Sequence, residues 1–331
     1  MIKKRKRILV ISKTSSEIST EDVMDWIMNL GHHCTRINGE DFEDFKSASI
    51  IIQGNSMFIN GYCLENEFDA LWVRRWSDYI SLNKIEQTFD SLVAPSLRNA
   101  ITSAMVNDIG IIENFITSNI NSKKTLASNN QTQGNKLNNL LLAKSHKLDI
   151  PDFILTTQKY VLEDFFNSHN QKIIIKDLGN SFTYKTNEAI YTTYTELVTK
   201  NKICLFPEKF FLSFFQEYIE KEFEIRAFII ENKLFSMAVF SQNNKQTEVD
   251  SRKYDFKKPN RMVPYLLPKT IEKKIINLFI SMRLTTGSVD LIKSKDGRYY
   301  FLEVNPDGQY GIVSETCNYN LNYEIAKYLS K

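Results

Sequence analysis

The chain contains no Cys-x-x-Cys pair. Its four cysteines, Cys34, Cys63, Cys204 and Cys317, lie far apart and read as the reduced thiols of a cytoplasmic protein. No stretch approaches the roughly 18 apolar residues that a membrane span requires, so no membrane role is expected. The opening MIKKRKRILVIS has a basic head, but its apolar run stops at Ser12-Lys13, too short for a signal peptide; it reads as a solvated tail entering a first strand. A formal net charge of +3 is too small to call for a nucleic-acid partner. No Gly-x-Gly-x-x-Gly follows the first strand, which excludes a Rossmann-type dinucleotide site, and no internal repeat is evident. What remains is 331 residues, 42% apolar and 24% charged, the composition of a soluble globular protein long enough for about two domains.

The most informative stretch is 288–311, SVDLIKSKDGRYYFLEVNPDGQYG. Asp296-Gly297 predicts a two-residue type I′ hairpin loop. That register pairs Lys295 with Arg298, Lys293 with Tyr300 and Asp290 with Glu303. Alternation places Asp290, Ile292, Phe301, Glu303 and Asn305 on one side and Val289, Leu291, Leu302 and Val304 on the core side. Two carboxylates directly opposite each other destabilise a hairpin unless a cation lies between them. Asp, Glu and Asn offer only oxygen, which suits Mg²⁺ and suits Zn²⁺ poorly. The hairpin therefore reads either as a floor for a nucleotide triphosphate or as an ordinary amphipathic hairpin with a polar outer face.

Upstream, residues 7–11 read as a buried strand, followed by a helix capped at Thr20-Glu21-Asp22 that stops at Gly31. Residues 34–37 and 49–53 continue the strand–helix–strand alternation of a small α/β domain. Residues 68–76 form another strand ending in Arg74-Arg75, of which at most one enters a given cleft; a surface role for both stands beside that reading. Residues 82–116 read as helical with a break at Pro95, and 118–133 as a linker. A helix from Asn135 carries Leu137, Leu140, Leu141 and Lys144 at helical spacing and ends before Pro151. Residues 173–175 form a strand that ends at Lys176, and 210–219 run into Glu217-Tyr218-Ile219. Alternation puts Glu222, Glu224 and Arg226 on one face. Residues 227–242 form a hairpin turning at 231–233, and 243–268 a long basic loop, functional or solvated. In that loop Asp250 and Arg252 project from the same side of an extended segment, where the aspartate orients the arginine. Residues 270–283 form an amphipathic helix burying Ile271, Ile275, Leu278 and Met282.

Asp290 followed by Glu303-x-Asn305-Pro306 on the next strand resembles the magnesium-binding signature of ATP-grasp ligases. The run EVNPDGQYGIVSETCNYNLNYEIAKYL resembles the peptide maturases of graspetide biosynthesis, most closely the grasp-with-spasm type. Lys136, Lys176, Glu217 and Arg226 fall in that family's order, and the likeness runs from about Asn135 onward, more weakly before it. It implies an α/β (α+β) architecture: a pre-ATP-grasp domain over 1–120, a linker and central ATP-grasp subdomain over 121–215, and a C-terminal subdomain with the metal hairpin over 216–331. It implies ATP and Mg²⁺ as cofactors. Lys136 and Lys176 then match the phosphate and adenine-side contacts, and Glu217-Tyr218-Ile219 the hinge that recognises adenine. Glu224 falls to the ribose hydroxyls, Arg226 to the acyl phosphate, and Asp290, Glu303 and Asn305 to magnesium. Related maturases carry an Asp-x-Arg pair like Asp250-x-Arg252, where the arginine holds the acceptor carboxylate.

Two departures stand out. The segment DLGNSFTY offers only Gly179 where the family has a glycine-rich loop, leaving Ser181 and Thr183 to contribute. Asp307-Gly308-Gln309 stands where many ATP-grasp enzymes have an arginine. The activity implied is phosphorylation of Asp or Glu side-chain carboxylates in a ribosomally made precursor peptide. Attack by Ser or Thr hydroxyls then closes ω-ester macrocycles. The partner implied is a precursor with a leader segment, with no nucleic acid or membrane partner; a homodimer is left open. The alternatives are an amino-acid ligase acting on a peptide or protein carboxylate, an amide-forming macrocyclase, and a nucleotide-binding protein without chemistry.

Overall fold

The computed structural model describes residues 4–14, 17–42, 48–76, 94–119, 124–126, 135–179, 181–186 and 188–331. The strand Arg7–Ser12 lies between His33–Asn38 and Ala70–Val73, and Thr125–Leu126 extends the edge, all in parallel. Parallel strands are covered on both faces. Accordingly Ile8 and Val10 enter one core while Leu9 and Ile11 enter another, all fully buried.

Several expectations change here. The first helix, Ile18–Asn29, starts before Thr20, whose hydroxyl bonds the buried Ser12 hydroxyl at 3.1 Å instead of capping. The strand Ile50–Gln53 leaves the parallel sheet, because the Gly54-Asn55 turn folds it back antiparallel onto Ser56–Ile59 and then Tyr62–Cys63. Pro95 opens the helix Pro95–Asn119 instead of breaking one, as suits a residue whose missing N–H would have no partner in a first turn. The helical stretch expected over 82–93 lies outside the described residues. So does most of the expected linker, but Thr125–Leu126 within it is a strand with Leu126 fully buried.

A second sheet, antiparallel, runs in the order Glu196–Val198, Ile173–Ile175, Lys209–Glu217, Phe153–Gln158. The helix Lys159–Ser168 sets Leu162, Phe165 and Phe166 against its Ile173, Val198 and Phe215. The largest sheet has five antiparallel strands, ordered Met262–Tyr265, Lys233–Val239, Lys221–Ile230, Thr286–Ser294, Tyr299–Asn305. The helix Lys269–Ser281 buries Ile275, Leu278 and Phe279 against it, with Met282 just beyond. The helix Lys136–Ser145 joins the same core through Leu140 and Ala143, and Asn135 caps it by accepting from the Asn138 N–H at 3.1 Å. Leu141, named with Leu140 for its helical spacing, is 56% exposed. The C-terminal helix Leu321–Leu329 shares a core with the N-terminal sheet through Leu321, Ile325 and Leu329. Among the described residues no helix is long and apolar enough to cross a membrane. All four cysteines are free.

Candidate active site

The hairpin reaches the expected Asp290–Glu303 pairing by a different route. Its loop has three residues, closed by the Ser294 N–H to Arg298 carbonyl bond (2.9 Å) and the Gly297 N–H to Ser294 carbonyl bond (3.0 Å). Gly297 has φ +88 and Asp296 is not left-handed, so the turn is not type I′. The Asp296 carboxylate accepts from the Arg298 backbone N–H at 3.4 Å and from its Nε at 2.8 Å, which favours the three-residue form. Lys293 therefore pairs with Tyr299, not Tyr300. A bulge between the Asp290–Glu303 and Leu291–Phe301 pairs then absorbs one residue, Leu302, and restores the carboxylate pair. It also exchanges two side chains: Phe301 goes fully into the core and Leu302 faces the cleft.

That cleft, about 480 Å³, lies between the four-stranded antiparallel sheet and the five-stranded sheet. Lys136, Lys176, Glu217, Tyr218, Ile219, Glu224, Arg226, Asp250, Arg252, Asp290, Glu303 and Asn305 all line it. Sheet register explains much of this convergence. Arg226, Asp290 and Glu303 are direct partners on three successive strands, and Asn305 pairs with Ser288 at the end of the hairpin.

Across that row, Arg226 Nε stands 3.7 Å from Asp290 Oδ1, and Lys136 Nζ stands 3.2 Å from Glu303 Oε2. Lys136 also donates to the Gly179 carbonyl at 3.1 Å. Burial pushes the Asp290 carboxyl up to about 6; Arg226 opposes the rise, while the Glu303 and Glu224 carboxylates add to it. Burial brings the Lys176 ammonium down to about 8, with Glu303 opposing and Lys136 reinforcing. Arg226 Nε is buried and makes no hydrogen bond, its ion-pair distance to Asp290 being too long for one.

These residues fit magnesium and a nucleotide. The donor set is all oxygen, and a carboxyl whose ionisation is suppressed by burial and like charge is one that a divalent cation relieves. Lysine cations and the apolar side chains of Ile174, Ile292 and Leu302 in the cleft lining suit a phosphate tail and a base.

Other expected residues are held in unexpected ways. Glu217 lines the cleft, but its Oε2 accepts from the Asp152 N–H at 3.3 Å. Glu224 Oε1 accepts from Lys221 Nζ and from Ser241 Oγ (2.8 Å), and its Oε2 from Ser251 Oγ (2.8 Å). A bulge between Lys221 and Phe223 brings the buried Lys221 to Glu224, while Glu222 turns to Lys293 at 2.9 Å and does not line the cleft. Alternation cannot foresee a bulge, and Ser241 and Ser251 carry no sequence signal at all.

Asp250 and Arg252 do pair, through Nε (2.9 Å to Oδ1) and Nη2 (2.5 Å to Oδ2). The segment is a turn, closed by the Lys253 N–H to Asp250 carbonyl bond at 3.1 Å, instead of extended. Burial raises the Asp250 carboxyl, but hydrogen bonds from Arg252 and from the Thr195 N–H outweigh it and leave it lowered. Arg252 Nη1 also donates to Ser181 Oγ. Thr183 does not line the cleft; its hydroxyl bonds that of Thr192 at 3.4 Å. Arg74 and Arg75 lie outside the cleft, and both reach the Glu17 carboxylate because the strand ends at Val73 and alternation no longer applies.

Residues 133–329, more than half of the chain, match the model of the RimK-like ATP-grasp domain. The chain belongs to this family. No curated protein matches its sequence. Its fold is also that of solved ATP-grasp structures. One is a Chryseobacterium gregarium RiPP-associated ATP-grasp ligase in complex with ADP and a leader and core peptide, with TM-score 0.79 and 21% identity over 98% of this chain and 95% of that one. Another is the macrocyclase MdnC of Microcystis aeruginosa MRC bound with the precursor peptide MdnA, with TM-score 0.76 and 22% identity over 98% and 99%. A third is the ATP-grasp ligase PsnB complexed with a minimal precursor, Mg and ADP, with TM-score 0.74 and 14% identity over 98% and 97%. At these identities the likeness establishes the ATP-grasp fold.

Proposed function

We propose that this ATP-grasp protein closes ω-ester macrocycles in a ribosomally made precursor peptide, in the cytoplasm. The observation that carries the reading is the convergence of the Arg226–Asp290–Glu303 row with the Asp250–Arg252 pair on one cleft. An arginine fork holds a carboxylate bidentately, so Arg252, fixed by Asp250, presents the acceptor side chain of an Asp or Glu. Solved neighbours that bind leader, core and precursor peptides support a peptide as that acceptor. The four free cysteines support a reducing compartment. Residues 1–120 act here as the pre-ATP-grasp domain, 121–215 as linker and central subdomain, and 216–331 as the subdomain that carries the hairpin.

In the first step an oxygen of the acceptor carboxylate attacks the γ-phosphorus of ATP, giving an acyl phosphate and ADP. Lys136 and Lys176 hold the phosphates, the Glu217–Ile219 segment receives the base, and Glu224 faces the ribose. Arg226, whose Nε faces Asp290 at 3.7 Å without a hydrogen bond, stabilises the transferring phosphoryl group. A Ser or Thr hydroxyl of the same peptide then attacks the acyl carbon, and phosphate leaves. Magnesium, held by Asp290, Glu303 and Asn305, would neutralise charge on the triphosphate oxygens.

The test is mass spectrometry of precursor incubated with protein, ATP and Mg²⁺. Each ring removes one water, and hydroxylamine or mild alkali reopens it. Rings that survive hydroxylamine refute the ester, and a mass gain of whole amino-acid residues replaces cyclisation with amino-acid ligation.

A further inference from the structure

The loop that carries Asn305 is anchored from outside the cleft. The Gly308 N–H donates to the Asn305 carbonyl at 3.0 Å, folding Asn305-Pro306-Asp307-Gly308 into a tight turn. Gly308 presses on the hairpin: a Cβ there would lie 2.1 Å from Ser288 Oγ, and Ser288 is the strand partner of Asn305. On its other side the turn meets Arg74 of the N-terminal domain, whose Nη1 donates to the Asp307 carbonyl at 2.8 Å across 233 residues of sequence.

Arg74 is itself built in. It is 6% exposed, its Nε lies 3.3 Å from Glu17 Oε1, and its guanidinium lies 5.4 Å from the centre of the Tyr310 ring. Glu17 is shared with Arg75 at 3.1 Å, and the Tyr310 hydroxyl donates to the Ser19 carbonyl at 3.4 Å. Burying an arginine so deeply is costly unless it is paired, and here one face of the fork is spent on a backbone carbonyl two residues beyond Asn305. Metal-site side chains depend on such outer contacts for their orientation.

We infer that Arg74 is a positioning residue that sets Asn305 for the metal–nucleotide site by holding the Asp307 carbonyl. This rests on the site proposed above but not on the peptide chemistry, so its test uses no peptide. ADP affinity is measured by calorimetry in EDTA and again in saturating Mg²⁺, for wild type, Arg74→Lys and the charge-neutral Glu17→Gln/Arg74→Gln pair. The pair removes both buried charges, leaving only the part-exposed Arg75 without its carboxylate, and serves if the lysine variant does not fold. In both variants ADP affinity in EDTA stays within about two-fold of wild type, and the gain in affinity on adding Mg²⁺ shrinks about ten-fold, the size expected for an outer-contact residue. Full retention of the Mg²⁺ gain overturns the inference, as does an equal loss with and without Mg²⁺, which would mark Arg74 as domain cement. Wild-type affinity that ignores Mg²⁺ overturns it together with the metal hairpin, and leaves the ester test standing.

Discussion

Asp290→Asn should stabilise the metal-free protein, although it removes a proposed metal ligand. The Asp290 carboxyl is raised from 3.8 to about 6. Between those values the folded protein binds a proton that the unfolded chain has released, so stability falls as pH rises through this window. The whole penalty is in place above about pH 6 to 7. About two pKa units at 1.36 kcal/mol each give about 3 kcal/mol. With 29% of the side chain still open to the cleft, solvent screening lowers the expectation to about 2 kcal/mol. Asparagine has the neutral shape and escapes the penalty. Urea unfolding of EDTA-treated protein is the assay, and an m of about 3 kcal/mol per molar moves the midpoint up by roughly 0.7 M at pH 8. At pH 4, where the wild-type carboxyl is neutral in the fold, the gain nearly disappears. Mg²⁺ with ADP should reverse the ranking by stabilising only the wild type. A midpoint unchanged or lowered at pH 8, or a gain equal at pH 4, refutes the reasoning.

Arg226→Ala should keep ATP affinity within a few-fold, by calorimetry, and lose product, as expected for a contact realised in the transition state. A large loss of affinity with turnover preserved at saturation reassigns it to the nucleotide site. Arg252→Ala should bind leader peptide normally, by fluorescence anisotropy, and fail to cyclise; normal cyclisation refutes the acceptor-carboxylate role. Nucleotide affinity in EDTA should decline as pH rises through about 8, where Lys176 loses its proton. Lys176→Met should bind more weakly and show no such decline.

The geometry of the candidate site was legible in the sequence wherever strand alternation held. Asp290 opposite Glu303, and Arg226 two residues beyond Glu224, are parity statements, and sheet register turned them into a row. Legibility failed at irregularities that leave no mark in residue order. The bulge after Lys221 brings a buried lysine to Glu224 in place of Glu222, and the one at Leu302 exchanges Phe301 and Leu302. Long-range anchors failed for a different reason. Arg74 lies outside the cleft, and its contact with the Asp307 carbonyl depends on how the N-terminal sheet meets the hairpin. In the fold, helix and strand types were readable from apolar spacing. Which sheet Ile50–Gln53 joins was not, because the Gly54-Asn55 turn settles it locally.

The bulge at Leu302 also bears on how this hairpin tolerates changes in length. Because Leu302 has no partner of its own, the pairs on either side, Leu291–Phe301 and Asp290–Glu303, would stay in register if it were deleted. A residue removed from the 295–297 loop has no such refuge, because Ser294 and Arg298 are bonded across it. In chains that share this hairpin with one residue fewer, the alignment gap therefore belongs at position 302, inside the strand, and not at the turn where gaps are ordinarily placed. The nucleotide cleft of such chains would lack the wall that Leu302 supplies, while their carboxylate pair would stay where it is.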